Sequence, residues 1–364
     1  MSTNFIDAGP DAGAKSTVIS ALTYQAKACE VLEAPLTAFL MRAVCADYEA
    51  GGFSRELLAG WEGRDPMENV LGLRIVGALH NLVITGRAPA LAAYYPNMGG
   101  TFHEDGLWSA AEHVLRTQRS VVEAFMRNTA QTNEVRRTGA LIGGFMLVAG
   151  RTGLPLRCLE AGASAGLNLR WDCFRYDFGN GRTWGDPDSP VHINTRWIGK
   201  GPDLSVPLSC AERAGCDISP IDITQPGAAE RLKSYVWPEH TERFRALEGA
   251  LALAADHPVT LDTADAGDWV VRKLAEPKPG MATVVYHSLA AQYFPPGTRA
   301  IFEGAIRDAG KHATPDAPVA WLRMEMIDAR NYPELRLTMW PGGEDRRIGF
   351  AQPHGAYVNW EDGL

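Results

Sequence analysis

No Cys-x-x-Cys pair occurs among the six cysteines, which are Cys29, Cys45, Cys158, Cys173, Cys210 and Cys216. Their scatter offers neither a zinc ribbon nor another metal-ligand spacing, and it outlines no disulfide framework. Long Lys/Arg runs are missing too, and 35 Lys and Arg against 43 Asp and Glu leave a formal net charge of -8. Nucleic-acid backbones are bound by clustered cations, so nucleic acid is excluded as the main partner and a small-molecule substrate is expected. No apolar run approaches the ~20 residues that cross a bilayer. The start, MSTNFIDAGPDAGAKS, lacks the basic opening and apolar core of a signal peptide. A cytoplasmic protein with no membrane partner is the expectation. Internal repeats and low-complexity tracts are also lacking.

The 364 residues exceed an ordinary domain, and the hydrophobic share of 46% against 21% charged is that of a globular protein with ample core material. At ~150 residues per domain, two units are expected. Residues 1 to about 15 read as a flexible lead-in. From Ser16 to Tyr48 apolar residues recur at helical spacing, with Pro35 starting a second helix. Helices are also expected over Met67–Thr85 and Leu107–Asn128. No period-two strand interrupts the first 150 residues.

The polar cluster QTNEVRR, Gln131 to Arg137, runs into the all-apolar ALIGGFMLVAG of residues 140–150. Asn133 or Thr132 can cap that helix. Alternatively Gln131, Asn133 and Glu134 stand at a ligand site as hydrogen-bond donors.

Residues Leu156 to Leu169, LRCLEAGASAGLNL, hold the densest chemistry. An apolar run closes on Glu160, and Gly162, Ser164 and Gly166 follow before a segment able to be helical. Strand, tight turn and helix are expected in that order. Glycines let a ligand approach the backbone, and the helix start would point unpaired N–H groups at the same place. The same residues spell Gly-x-Ser-x-Gly, the nucleophile elbow of α/β-hydrolases, with Ser164 as nucleophile and Asp265 with His287 or His354 downstream. Such an enzyme places several strands before its elbow, and none is legible here.

Beyond the loop, residues 174 to about 207 carry Gly-Asn-Gly and Asp-Pro-Asp turns and read as a hairpin-like insertion. The run PVTLDTADAGDWV, with Asp262 and Asp265, reads as a short strand ending in acids, and Gly215 to Pro220 resembles the end of the second strand in methyltransferases, with Asp217 as the candidate and Asp222 as its alternative. A buried strand, Ala282–Tyr286, leads to His287 and Ser288. A helix over Thr298–Ala309 precedes a strand over Val319–Glu325. An antiparallel pair, Arg336–Met339 and Arg347–Phe350, is expected around Pro341-Gly342-Gly343.

QTNEVRRTGAL, LEAGASAGLNL, GDPDSPV and YVWPEH, within residues 131–239, resemble an uncharacterised bacterial domain-of-unknown-function family, number 2332. Residues from about 155 to 350 are more distantly similar to S-adenosylmethionine (SAM)-dependent methyltransferases. That similarity implies an α/β fold with a Rossmann-like sheet, mostly parallel with an antiparallel last strand, over residues 151–364. A helical lid or substrate wall over residues 1–150 would precede it. It further implies that Glu160, Gly162, Ser164 and Gly166 hold the methionine part of SAM, Asp217 the ribose and Asp265 the adenine. Ser164 stands where such loops commonly have glycine, and the distance from Glu160 to Asp217 exceeds the usual ~20 residues. His287 is the candidate base, since imidazole titrates near neutral pH and follows a buried strand. A third possibility is a SAM-fold protein without catalysis that binds a ligand or partner.

Overall fold

The computed structural model describes residues 16–62, 70–327 and 332–361. The expected lead-in over residues 1–15 and the start of the Met67–Thr85 helix lie outside the described residues.

Two compact units divide these residues. The helical unit takes the described residues up to Thr132 together with Thr224–Arg245. Its principal helices are Thr17–Val31, Pro35–Glu49, Leu71–Ile84, Leu107–Thr117 and Arg119–Met126, with Ala228–Ser234 contributed from far along the chain. Ser16 caps the first, accepting from Ile19 N at 3.5 Å. Pro35 begins the second, where its missing N–H costs nothing. Leu22, Leu36, Leu40, Leu79, Leu82 and Tyr235 meet in its core. The expected Leu107–Asn128 helix is two helices, broken at Gln118.

The sheet unit comprises Asn133–Ile223 and the described residues from Ala246 onward. Its strands are β1 (Leu156–Ala161), β2 (Arg175–Asp177), β3 (Thr183–Gly185), β4 (His192–Asn194), β5 (Arg196–Ile198) and β6 (Cys210–Asp217). There follow β7 (Thr260–Thr263), β8 (Ala282–Ser288), β9 (Val319–Glu325), β10 (Glu334–Trp340), β11 (Glu344–Ala351) and β12 (Tyr357–Trp360). Among the described residues, nine strands form one sheet in the order β5-β12-β11-β10-β9-β8-β1-β6-β7. The five from β7 to β9 run parallel, while β10 is antiparallel to both β9 and β11. All six residues of β1 are buried, as a central parallel strand covered on both faces requires.

Alternation along β9 separates those faces. Trp321 meets Phe302 of the Pro296–Lys311 helix, which packs beside the Ala266–Leu274 helix. Leu322 turns the other way and lies beside Gly144 of the Thr138–Thr152 helix. A boundary near residue 150 was expected, yet this last helix covers the sheet and the division falls between Thr132 and Asn133. Its apolar residues on every side reflect burial against strands. The insertion contains a three-stranded sheet, β3-β2-β4, in which β2 and β3 are the expected hairpin. Past it, β5 joins the main sheet beside β12.

A Cβ on Gly143 would lie 2.2 Å from Trp360 Cη2, and an indole cannot fold out of the way. Gly143→Ala gains about 1 kcal/mol of helix propensity but overpacks this contact, for an expected net loss of about 1–2 kcal/mol. Urea unfolding checks it, and a midpoint that rises would contradict the packing.

Candidate functional site

Gly162, Ser164 and Gly166 have φ of 73°, 54° and 69°, so the turn after β1 winds through the left-handed region and includes one residue that is not glycine. Gly162 N and Ala163 N both donate to Cys216 O at 2.9 Å, and Ser164 N donates to Asp217 Oδ2 at 2.9 Å. Ala165 N and Leu167 N share Asn133 Oδ1, at 3.2 and 3.1 Å, and Gly166 N donates to Ala163 O at 2.7 Å. Every amide from Gly162 through Leu167 is therefore engaged inside the protein. Unpaired N–H groups at a helix start were expected; the structure corrects this on both counts. The segment that follows, Leu167–Cys173, is a 3-10 run kinked at Arg170 (φ -103°, ψ 21°) rather than an α-helix.

Asn133 and Glu134 do reach the loop, in roles other than ligand donors. The Asn133 side chain holds two loop amides, and Glu134 O accepts from Asn168 Nδ2 at 3.3 Å. Glu134 also caps its own short turn, accepting from Arg136 N at 3.2 Å. Gln131 belongs to the helical unit.

Asp217 ends β6, as expected, while the alternative Asp222 is exposed beyond it. Besides Ser164 N, Asp217 accepts from Ser219 N at 2.9 Å, so one carboxylate ties the β6 end to the loop after β1. Asp265 is an N-cap. Its carboxylate accepts from Gly267 N (2.9 Å), Asp268 N (3.3 Å) and Thr298 Oγ1 (2.5 Å). Asp262 takes Trp269 Nε1 at 2.7 Å and the Lys273 ammonium at 3.0 Å.

Glu160 is 3% exposed, and its carboxyl receives the Tyr286 hydroxyl at 3.3 Å. Burial pushes its pKa up to about 8, and the nearby Asp217 charge adds to this. Tyr286, Asn168 and Arg137 act in the opposite direction without prevailing. Glu160 is thus a neutral acid at pH 7. Ser164 Oγ and Asn168 Oδ1, both buried, have no hydrogen-bond partner among the described residues. Asn168 lies beside Glu160, and its side chain favours the ionised form of that carboxyl.

His287 is 1% exposed, and both ring nitrogens are taken. Trp321 Nε1 donates to Nε2 at 3.1 Å, so the proton sits on Nδ1, which donates to Glu325 Oε1 at 2.6 Å. That geometry corrects the expected role, since no nitrogen is left to take a proton from a substrate. Among the described residues, no histidine is hydrogen-bonded to the Ser164 hydroxyl to activate it. Tyr286, Asn168, Trp321 and Glu325 were not singled out in the sequence. The signal was present for Tyr286 and Glu325, which lie at the ends of strands that were legible.

Residues 20–360 match the bacterial family described as an uncharacterised protein conserved in bacteria, DUF2332. The chain belongs to this family. No curated protein and no solved structure matches it. Among the described residues, no helix is long and apolar enough to cross a membrane.

Asn133→Ala strands two buried amides and is expected to cost about 2–4 kcal/mol. Asn133→Asp, which keeps the Oδ1 acceptor, loses less; chemical denaturation of both variants checks the order. For Glu160 the native state keeps a proton that the unfolded chain has released, so stability falls as pH rises from the usual carboxylate range to about 8. Glu160→Gln cannot titrate, and across that window wild type should lose up to about 1.4 kcal/mol per pH unit relative to it. Urea midpoints over a pH series read this, and a constant difference would contradict a neutral Glu160.

Proposed function

We propose that the protein is a SAM-dependent methyltransferase acting on a small molecule. In chain order the parallel strands β7-β6-β1-β8-β9 run 3-2-1-4-5, the order of a doubly wound sheet. Ligands of such sheets lie at the carboxyl ends of the strands where the order reverses, here between β1 and β8. The loops leaving these two strands each carry a non-glycine residue in the left-handed region, Ser164 and Leu289, and such backbone concentrates at functional sites.

The observation that carries the choice of cofactor is the engaged set of loop amides from Gly162 to Leu167. A dinucleotide needs such amides for its pyrophosphate. SAM has no phosphate, so a loop whose amides are already used suits it. Asp217 is half-buried and takes one backbone amide on each oxygen, which leaves lone pairs for two ribose hydroxyls. The Ser164 hydroxyl, buried without a partner beside it, is a polar group for the amino-acid portion. Asp265, with three donors already on its carboxylate, is a weaker adenine acceptor than Asp217 is a ribose acceptor.

When bound, the cofactor supplies an activated methyl group. This chain's contribution is to hold it and the acceptor in line, from which much of the rate can come. His287 acts outside proton transfer. A serine hydrolase would need a base on Ser164, and none among the described residues is hydrogen-bonded to it.

Calorimetric titration with SAM and with S-adenosylhomocysteine should give saturable binding, weakened at least about tenfold in Asp217→Ala, a difference of ~1.4 kcal/mol. Absence of binding to the folded protein would defeat the proposal, and fluorophosphonate labelling of Ser164 would then favour the hydrolase. SAM binding with no turnover on any acceptor would point to a ligand-binding protein.

A further inference from the structure

We infer that His287 and Glu325 are positioning residues, which fix where the turn after β8 rests on the loop after β1 and so set the crevice between those strands. For the ligand, this rests on the function proposed above; the coupling of the two loops does not.

Three donors converge on one oxygen, Glu325 Oε1: His287 Nδ1 at 2.6 Å, Ala290 N at 2.9 Å and Ala291 N at 3.2 Å. Burial pushes the Glu325 carboxyl up, but the His287 hydrogen bond and the two amides outweigh it, and the group stays below the usual range. An ionised acceptor is a strong anchor for a turn. His287 is itself held from behind by Trp321 Nε1, which leaves its ring one orientation and one tautomer. Just before the anchored amides stands Leu289, with φ of 51° and its N–H on Met324 O at 2.8 Å. That conformation is rare for a residue with a side chain, so the turn needs outside support.

What the anchored turn touches is the glycine loop. A Cβ on Gly162 would lie 2.6 Å from Ala290 Cβ. The space a side chain would need at Gly162 is filled by the Ala290 methyl, while Gly162 N is bound from the other side by Cys216 O at 2.9 Å. A continuous path therefore leads from Trp321 through His287 on β8 to Glu325 on β9, and from Glu325 through Ala290 to the loop after β1. Proteins use buried hydrogen-bonded acids in this way to hold ligand-contacting segments that the acids never touch.

Amide hydrogen exchange on the ligand-free protein tests the coupling. Glu325→Ala should speed exchange at Ala290 and Ala291, and also at Gly162 and Ala163, by at least about tenfold. Glu325→Gln keeps an amide oxygen in place of Oε1 and should restore most of the protection. Should Glu325→Ala fail to fold, a second pair reads the same contact. Gly162→Ala strains the loop at its φ of 73° and meets the Ala290 methyl, so it should loosen Ala290 and Ala291; adding Ala290→Gly removes the methyl contact and should restore part of their protection. Fast exchange at Ala290 and Ala291 with Gly162 and Ala163 unchanged, or no recovery in Gly162→Ala/Ala290→Gly, would overturn the inference. In SAM titrations the order of affinity should be wild type, then Glu325→Gln, then Glu325→Ala. Exchange is read without ligand, so wild type that binds no SAM defeats the proposed function alone, and uncoupled exchange defeats this inference alone.

Discussion

A loop that leaves the end of a buried strand must find acceptors for the amides closed off from water, and here Ala163 through Leu167 are all buried. After β1 this requirement is met largely by two other parts of the chain. Cys216 and Asp217 come from β6, and Asn133 comes from the segment before the Thr138–Thr152 helix. The loop cannot form its shape until these parts are in place. That dependence explains why the dense polar cluster around Asn133 opens a helix that is otherwise apolar. It also removes the loop from the class of phosphate cradles, since the groups that would greet an anion are already bonded.

Two carboxyl groups near the carboxyl edge of the sheet have opposite fates, and β8 separates them. Glu160 pairs with Tyr286 on the face covered by the Thr138–Thr152 helix, and Phe145 of that helix stands edge-on to the Tyr286 ring at 5.1 Å. With the Tyr286 phenol as its donor, Glu160 keeps its proton. Glu325 pairs with His287 on the face covered by the Pro296–Lys311 helix and receives two backbone amides as well, so it stays ionised. Consecutive residues of one strand, Tyr286 and His287, thereby sort a neutral acid from a charged one. Burial acts on both acids in the same direction, so the number and kind of donors decide between them.

Strands bounded by turns were legible in the sequence. The boundaries of β9 coincide with those read from Val319–Glu325, and the β10/β11 pair falls around its Pro-Gly-Gly turn. Strong apolar runs ended by Gly, Pro or charge leave little choice. The 3-10 run after the loop was not legible, because the side chain that satisfies its first amide is 34 residues earlier in sequence. The role of His287 was hidden for a similar reason: its partners lie on the next strand, 34 and 38 residues away. Periodicity shows that residues 140–150 are buried, yet it cannot say against what, and the expected boundary at 150 followed from that. Residues 224–245 joined the helical unit without any local signal. At the candidate site, the residue types at the strand ends were readable and the direction of their hydrogen bonds was not.

One edge of the main sheet is assembled from strands made far apart in time. The three-residue β5 pairs with β12, and Thr195, just before β5, donates its hydroxyl to Gly355 O, 160 residues further on. At ribosomal rates of roughly 5–20 residues per second, that interval lasts on the order of 10–30 s. During it, Trp197 has no Trp360 to meet, although the two rings finally lie 4.9 Å apart. The nascent chain thus carries an aromatic, unpaired strand through most of the synthesis of its own sheet. Closing that edge is a late event set by translation, and a cell that makes this protein must keep the open edge from pairing with other chains meanwhile.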